Sequence, residues 1–329
     1  EMRGVFNFIG ISILSMQSVL AQDRVEIFGY YESQLMGLVY NRQIQHVYSN
    51  KLRVDLQFAP SDQIQFAANY NFITYHGKTM WEITEYLSSD IVNTIDPDLM
   101  NFYVLPLEDR HFLDNAYIRL AFERVDLTFG KQQISLGSGY VWNPTDVFNT
   151  KDVLDPTYEQ PGHNAIRLDM PIGISLNLTA LYSPDDTWDE SGKLVQLKAQ
   201  IPRIDISLIA IETQWVFHDY TRIDTITNSF PGTQETRQVL GGNFEGELLG
   251  LGLWAEYGYN RMEYSDEFQE FVAGLNYTFD FQTFIMLEYY HNSLGKSGYE
   301  DYQLNDWMRY YTAEQKSISK DQLYTLIQH

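Results

Sequence analysis

The feature that most constrains this chain is an alternation of apolar and polar side chains with a period of two residues. In the segment 51–58, KLRVDLQF, the even-numbered residues are apolar and the odd-numbered residues are charged or carry an amide. This period is that of a β-strand with one apolar and one polar face. The apolar face must meet either a protein core or lipid, and that choice decides the fold.

The alternation recurs along most of the chain and predicts thirteen strands. They are expected at residues 24–40, 48–58, 64–75, 112–123, 125–136, 163–170, 173–182, 193–201, 204–217, 236–247, 251–261, 268–279 and 281–291. After them, the tail 305–328 is expected to hold a short helix.

The links between the predicted strands alternate in length. Short links are expected at 59–63, 123–125, 170–173, 201–204, 248–250 and 279–281, and long ones at 76–111, 137–162, 183–192, 218–235 and after 291. The links at 41–47 and 262–267 are intermediate. A meander of antiparallel strands places all short turns at one end and all long loops at the other, which is the layout of an outer-membrane barrel.

The N-terminal segment, residues 1–21, is predicted to be a secretory signal peptide. Arg3 precedes the apolar run VFNFIGISILSM, and Val19-Leu20-Ala21 is a small-residue pattern of the kind that precedes cleavage. After Ala21 no stretch approaches the roughly 20 apolar residues that a membrane helix needs. If the mature domain, residues 22–329, crosses a membrane, it must do so with strands.

These observations predict an all-β fold, an antiparallel up-and-down transmembrane β-barrel of about 14 strands when complete. A closed barrel satisfies the backbone hydrogen-bonding groups that lipid leaves unsatisfied. Because thirteen is odd and bacterial barrels are even, the chain is interpreted as a fragment that lacks the closing strand. The expected location is the outer membrane.

The segment 130–149, GKQQISLGSGYVWNPTDVFN, resembles a stretch of porin-like outer-membrane β-barrel proteins of Gram-negative bacteria. In that pattern a strand ends in Gly-(Arg/Lys)-Gln and is followed by a glycine-rich bend and an Asn-Pro-Thr-Asp turn. The matching positions are Gly130, Lys131, Gln132, Gly137, Gly139, Asn143, Pro144, Asp146, Pro161, Gly162 and Arg167. The resemblance implies a channel for passive diffusion of small hydrophilic solutes or ions. Lys131 departs from it, since arginine is commoner at that position.

The link 137–162 is the candidate functional loop, since such a loop folds into the lumen in porins. The loop holds Trp142, and its acids Asp146, Asp152, Asp155 and Glu159 are then expected to face Arg119, Arg167 and Lys131 across the pore. By alternation with Leu127 and Phe129, Lys131 turns outward unless its strand bulges. The other interpretation is that Asn143-Pro144-Thr145-Asp146 is an ordinary turn packed on the mouth of the barrel.

The lumen wall is predicted to carry both signs of charge, among them Lys51, Arg53, Asp55 and Asp169. These groups form either a conduction path or a salt-bridged ladder that stiffens the wall. The formal net charge of −22 argues against nucleic acid as a partner. It favours a preference for cations, or divalent cations held by acidic loops at the lipopolysaccharide surface. The expected partners are outer-membrane lipid, lipopolysaccharide and small solutes, with a homo-oligomer left open.

Catalysis finds little support in the sequence, and no catalytic residue, metal site or cofactor is predicted. The pair His218-Asp219 could belong to an outer-membrane hydrolase of protease or lipase type, but adjacent strand residues point to opposite faces. The same alternation also fits a structural or adhesive barrel with a plugged lumen, and a secreted soluble β-protein.

Overall fold

The computed structural model describes residues 11–13, 20–22, 25–149 and 162–329. Most of the predicted signal peptide lies outside these residues. Two short strands near the N-terminus, Ile11–Ile13 and Leu20–Gln22, pair antiparallel with the free edge of the first long strand. Cleavage after Ala21 stays a prediction.

Fourteen long strands form one antiparallel sheet in the described part of the chain, and each pairs with the next along the sequence. They are β1 Val25–Tyr40, β2 Gln43–Ser61, β3 Ile64–Gly77, β4 Arg110–Ala121, β5 Asp126–Gln133, β6 Gly162–Ile172, β7 Leu176–Ser183, β8 Gly192–Ile201, β9 Ile204–His218, β10 Gly232–Leu248, β11 Leu251–Met262, β12 Phe268–Thr278, β13 Phe284–Asn292 and β14 Asp321–Gln328. Among the described residues, β1 and β14 do not pair with each other, so the sheet is not closed between them.

The thirteen predicted strands correspond to β1–β13, which confirms the all-β, up-and-down class. The tail differs from the prediction in one respect. A helix is present there, at Leu304–Tyr311, but Asp321–Gln328 is a fourteenth strand paired with β13.

The two ends of the sheet differ in the length of their connections. Links of two to five residues lie at one end, the turn end, at 62–63, 122–125, 173–175, 202–203, 249–250 and 279–283. The long links lie at the other, the loop end, as predicted. One loop-end link is shorter than expected: β1 and β2 are joined by Asn41 and Arg42 alone, whose φ angles of 48° and 63° form a tight left-handed turn.

The two faces of the sheet have opposite polarity. The apolar side chains of Leu52, Leu56 and Leu176 are 44%, 42% and 39% exposed on the outer face, whereas Lys51 and Asp55 on the inner face are only 2% and 7% exposed. A soluble sandwich would bury those leucines against a second sheet. The apolar faces therefore point away from the interior, and the polar faces enclose it.

Loop-end segments fold over the mouth on the side of β1–β3. The link 78–109 contains a short antiparallel pair, Met80–Glu82 with Val104–Pro106, the 3₁₀ turns Ile83–Tyr86 and Pro97–Phe102, and helix α1 Ser89–Val92; the link 293–320 contains a 3₁₀ turn, Tyr299–Asp301, and helix α2 Leu304–Tyr311. None of the helices in the described residues is long and apolar enough to cross a membrane.

These segments share one apolar cluster, which we call the cap. Each large apolar side chain buried in it contributes about 1.5–3 kcal/mol to folding. Its buried members are Leu38, Val47, Ile73, Tyr75, Trp81, Ile83, Tyr86, Leu87, Ile95, Tyr103, Tyr220, Leu304 and Met308. The cap therefore closes part of the loop end with side chains from distant parts of the chain.

Candidate functional site

The segment that follows β5 enters the interior of the sheet. We call its described part, residues 134–149, the inward loop. Its partners are inward-facing side chains of β11 and β13, which are six and eight strands further along the sheet. A loop that leaves β5 and binds these strands has crossed the lumen to the far wall.

Glu288 on β13 holds the tip of the inward loop. Its carboxylate accepts hydrogen bonds from the backbone N–H groups of Tyr140 (2.6 Å), Val141 (2.8 Å) and Trp142 (3.1 Å). The indole N–H of Trp254 donates to the same carboxylate at 2.8 Å. Three successive backbone donors are thus satisfied by one fully buried side chain, in the way that a turn binds an anion.

Glu256 on β11 holds both flanks of the same tip. It accepts from the backbone N–H of Ser138 (2.8 Å) and of Thr145 (2.6 Å), and from the Thr145 hydroxyl (2.8 Å). Hydrogen bonds to a charged acceptor are roughly twice as strong as neutral ones. The two glutamates together give the inward loop a defined position against the wall.

Two glycines make the wall flat where the loop touches it. A Cβ on Gly258 would lie 3.3 Å from Cβ of Pro144, and a Cβ on Gly241 would lie 2.6 Å from Cγ2 of Thr145. Trp142 stacks on Tyr290 of β13 with ring centroids 5.1 Å apart and planes inclined by 10°. Gly241, Gly258, Glu256 and Glu288 therefore form a seat that fits this segment closely.

A strap from the loop between β13 and β14, residues 312–316, lies over the inward loop. Lys316 Nζ donates to the carbonyl oxygens of Asn143 (2.6 Å) and Pro144 (3.3 Å), and lies 4.0 Å from Glu270 on β12. Glu270 also pairs with the buried Arg237 at 3.2 Å. The strap thus joins the cap, through the end of α2, to the inward loop.

Glu314, which also belongs to the strap, connects the strap to β9. Its carboxylate accepts from the backbone N–H of His218 (2.9 Å), lies 2.8 Å from His218 Nδ1, and accepts from the hydroxyl of Tyr220. The Trp215 indole donates to the Glu314 carbonyl at 3.3 Å. Asp219, the neighbour of His218 in the sequence, bonds instead to Thr221 and pairs with Arg222.

Asp146 belongs to the inward loop, and its side chain is buried. Its carboxylate accepts a hydrogen bond from the side-chain amide of Asn149 at 2.7 Å. Burial raises the pKa of Asp146 to about 6, and the nearby Lys316 ammonium and the Asn149 hydrogen bond offset that rise only in part. The carboxyl group therefore changes charge in a mildly acidic range.

The two arginines expected to face the loop across the pore each form an ion pair on the inner wall. Arg119 pairs with Asp126, and Arg167 pairs with Asp169 at 2.8 Å, all near the turn end and away from Asp146. Asp152, Asp155 and Glu159 lie outside the described residues. Each arginine thus has a carboxylate on its own hairpin as its ion-pair partner, and a constriction in which Asp146 faces these arginines across the pore stays a prediction.

Lys131 faces outward, as alternation along its strand predicts. It pairs in register with Ala116, on the face that also carries Ile118 and Phe129, and its ammonium donates to the carbonyl of Leu113 at 2.7 Å. Lys131 therefore does not line the lumen. Trp142 stacks on the inward-facing Tyr290. Arg53, Asp55 and Asp169 line the interior cavity, and the buried Lys51 shares the inner face of β2.

For several residues of the site, the neighbouring sequence gives no indication of their role. Alternation places Glu256 and Glu288 on the inner face, but nothing near them in the sequence indicates that they bind residues 138–145. Lys316 lies in a tail whose expected structure was a helix. The signal that could have found the two glutamates is their position in otherwise uncharged inner-face stretches of β11 and β13.

A polar cavity of about 700 Å³ lies between the inward-facing side chains near the turn end. Its lining includes three arginines, three aspartates and several amides, together with Phe28 and Tyr117. In the described ranges, no group of three or more histidine, aspartate and glutamate side chains is placed to hold a metal ion. The interior therefore combines a seated loop with a charged cavity large enough to hold several water molecules or a small solute.

Solved outer-membrane proteins share this architecture. OmpTΔL8, a loop L8 deletion mutant of OmpT, an outer membrane protein of Vibrio cholerae, aligns with a TM-score of 0.51 and 11% identity over 83% of each chain. Salmonella typhi OmpF, solved with daunomycin, gives 0.47 and 10% over 84% of this chain and 81% of OmpF. Pseudomonas putida OprB gives 0.46 and 11% over 91% of this chain and 78% of OprB.

At 11% identity, the match to OmpTΔL8 shows a shared fold. The fold is that of an outer-membrane β-barrel, so the predicted up-and-down barrel class is confirmed at the level of the fold. No protein-family model and no curated protein sequence matches this chain.

The first prediction concerns Glu288. Replacing Glu288→Ala leaves three backbone N–H groups without their acceptor, so amide hydrogen exchange at residues 140–142 should accelerate about tenfold or more. Glu288→Gln keeps one acceptor oxygen and should accelerate exchange much less. Unchanged protection in the alanine variant, measured by mass spectrometry in detergent, would contradict the seating described above.

The second prediction concerns the pH dependence due to Asp146. Its pKa is raised in the folded protein, so between about pH 4 and 6 the folded state holds a proton that the unfolded state has lost. The contribution of Asp146 to stability is therefore greatest below pH 4 and decreases by about 3 kcal/mol as the pH rises from about 4 to above 6.

Asp146→Asn should remove that decrease, so the variant should gain stability over the parent at pH 7 and not at pH 4. Asp186→Asn, in an exposed loop, is the control and should leave the profile unchanged. The free energy of unfolding in urea, measured at several pH values, tests this. Parallel profiles for the parent and the Asp146 variant would show that Asp146 ionises normally in the folded protein.

Proposed function

We propose that this protein is a porin-like outer-membrane channel through which small hydrophilic solutes or ions diffuse passively. The observation that supports it best is the inward loop, which crosses the lumen and is held on the far wall by Glu256 and Glu288. A segment so placed would narrow a pore, and selectivity would then depend on the width of the remaining opening and on the charges that line it. No chemical step is part of this proposal.

The polar cavity near the turn end supports the same function. It is lined by charged and amide side chains of β2 to β7, which water and hydrophilic solutes can solvate. Outside, the exposed apolar faces fit outer-membrane lipid, and the acidic loop end fits cations at the lipopolysaccharide surface. Association of several copies is compatible with this arrangement.

A structural barrel with a plugged lumen is the second candidate function, and the cap favours it. The cap fills the loop end beside β2 and β3 with large apolar side chains such as Tyr103, Ile83 and Met308, each at most 1% exposed. If the cap and the inward loop together leave no continuous path, the molecule would be an anchor or an adhesion module.

An outer-membrane hydrolase would use an acid–histidine pair at the rim, and His218 with Glu314 is such a pair. Glu314 is, however, also bonded to the backbone of His218, to Tyr220 and to Thr312. This arrangement fastens the strap to β9 and accounts for both residues without catalysis. The pair therefore supports a structural role better than an enzymatic one.

Conductance of the full chain in planar lipid bilayers tests the proposal. The parent protein should give discrete, ohmic current steps. The double variant Glu256→Ala with Glu288→Ala releases the inward loop and should give a changed and noisier conductance. The matched variant Glu256→Gln with Glu288→Gln keeps acceptors at both positions and should resemble the parent.

Failure to conduct would overturn the channel proposal, provided that circular dichroism shows folded protein. A double alanine variant that conducts while the parent does not would support the plugged barrel. Activity of the parent on ester or peptide substrates, lost on His218→Asn, would support the hydrolase.

A further inference from the structure

Four ion-paired couples lie on the inner face near the turn end. The cation–carboxylate distances are 2.9 Å for Arg53–Asp55, 2.8 Å for Arg167–Asp169 and 2.7 Å for Lys198–Asp205, and the fourth couple is Arg119–Asp126. They lie on four different hairpins, those of β2–β3, β4–β5, β6–β7 and β8–β9. Each couple joins residues whose side chains share the inner face.

The four couples have the same orientation along the axis of the barrel. On β2 and β6, which run toward the turn end, Asp55 and Asp169 follow Arg53 and Arg167 by two residues. The other two couples span their hairpins. Asp126 pairs in register with Ala121, two residues nearer the turn end than Arg119.

The last couple follows the same rule, since Asp205 pairs with Gln200, two residues nearer the turn end than Lys198. In every case the carboxylate lies closer to the turn-end mouth than its cation. We call the carboxylates of these couples the acidic level of the wall of β2–β9, and the cations one step deeper on the same strands and hairpins the basic level. Glu245, the register partner of Asp205 on β10, adds a carboxylate to the acidic level.

Ion pairing alone does not require every carboxylate to lie on the turn-end side of its cation. Asp126 and Asp169 are direct cross-strand partners, and Arg119 and Arg167 both flank Thr128. Like charges placed side by side on neighbouring strands are destabilising, and reversing one couple would have avoided both contacts. An aligned set of charge pairs instead produces a field along the pore axis.

The sorted charges are accessible from the cavity near the turn end. Arg53, Arg119 and Arg167 line it with Asp55, Asp126 and Asp169, three cations and three anions. The arginine side chains are 21%, 48% and 35% exposed. A solute with one charge is attracted by one level and repelled by the other, whereas a solute with both charges can satisfy both levels at once.

We propose that the turn-end mouth favours zwitterionic solutes, the class of amino acids and short peptides, over neutral or singly charged solutes of the same size. The ammonium group of the solute lies at the acidic level and its carboxylate at the basic level. This inference rests on the proposed channel function and specifies its substrate class.

Swelling of liposomes that contain the full-length protein tests the inference. γ-Aminobutyric acid is the zwitterionic probe and erythritol the neutral probe of similar size. Swelling in the zwitterion should exceed swelling in erythritol by about threefold, the size expected of partly exposed charge interactions.

Exchange variants provide the matched control, because they keep composition and every ion pair. One variant exchanges the residues of two couples, Arg119→Asp with Asp126→Arg and Arg167→Asp with Asp169→Arg. These two couples then have the opposite orientation along the barrel axis to the other two. The threefold ratio should fall to about one, with erythritol unaffected. Exchanging all four couples realigns the set in the opposite direction and should restore the ratio.

A ratio that is the same in the parent and the two-couple variant would overturn the inference. If the variants do not fold, the parent alone decides: γ-aminobutyric acid should enter faster than both butylammonium and butyrate, and slower entry than either would overturn the proposal. If no solute enters through the parent protein, the channel function itself fails, which is a distinguishable result.

Discussion

The backbone of a chain in a bilayer must satisfy its own hydrogen bonds, and the rest of this structure depends on that constraint. Lipid offers no donor or acceptor, so strands can span it only when each pairs with its neighbours. Here fourteen long strands pair in a single meander, and among the described residues only β1 and β14 lack a second long partner strand. The pairing turns every second side chain outward, which is why Leu52 and Leu56 are exposed while Lys51 and Asp55 are not.

The same constraint acts inside the barrel on the inward loop. A segment without secondary structure carries backbone N–H groups that need acceptors. Glu256 and Glu288 supply them, and the glycines at 241 and 258 let the backbone approach the wall. The two acids therefore have their charges occupied by the loop, whereas the acids near the turn end remain accessible beside their arginines. The strap from α2 adds a link between this loop and the cap.

The strands could be predicted from the sequence because their signal is local. Alternation within each run determines both the strand and its inner face, so the parity of Lys131 against Leu127 correctly indicates that this residue faces outward. β14 was missed because the alternation in its eight residues, DQLYTLIQ, is weak: Thr325 shares a face with Leu323 and Ile327, and Leu326 lies on the other face. The two-residue turn at Asn41 was missed because the polar residues after it read as a longer link.

The site could be predicted only in part, because its contacts join residues far apart in the chain. Glu288 and Val141 are separated by 147 residues, and Lys316 and Asn143 by 173. No periodic pattern reports such a contact. The loop around Trp142 was identified through its resemblance to porin-like proteins, whereas its partners depend on the curvature of the whole sheet. The ion-pair partner of Arg119, Asp126 on the same hairpin, was likewise not predicted.

The central claim is that lipid surrounds the apolar faces and water fills the space between the polar ones. Because the chain has no cysteine, a spin label can be attached at each position of 51–58 in turn, in protein reconstituted into liposomes. Accessibility to oxygen should peak at 52, 54, 56 and 58, and accessibility to a water-soluble nickel chelate should peak at 53, 55 and 57. Low accessibility to both reagents at 52, 54 and 56 would mean that these residues are packed in a protein core, and would contradict the account.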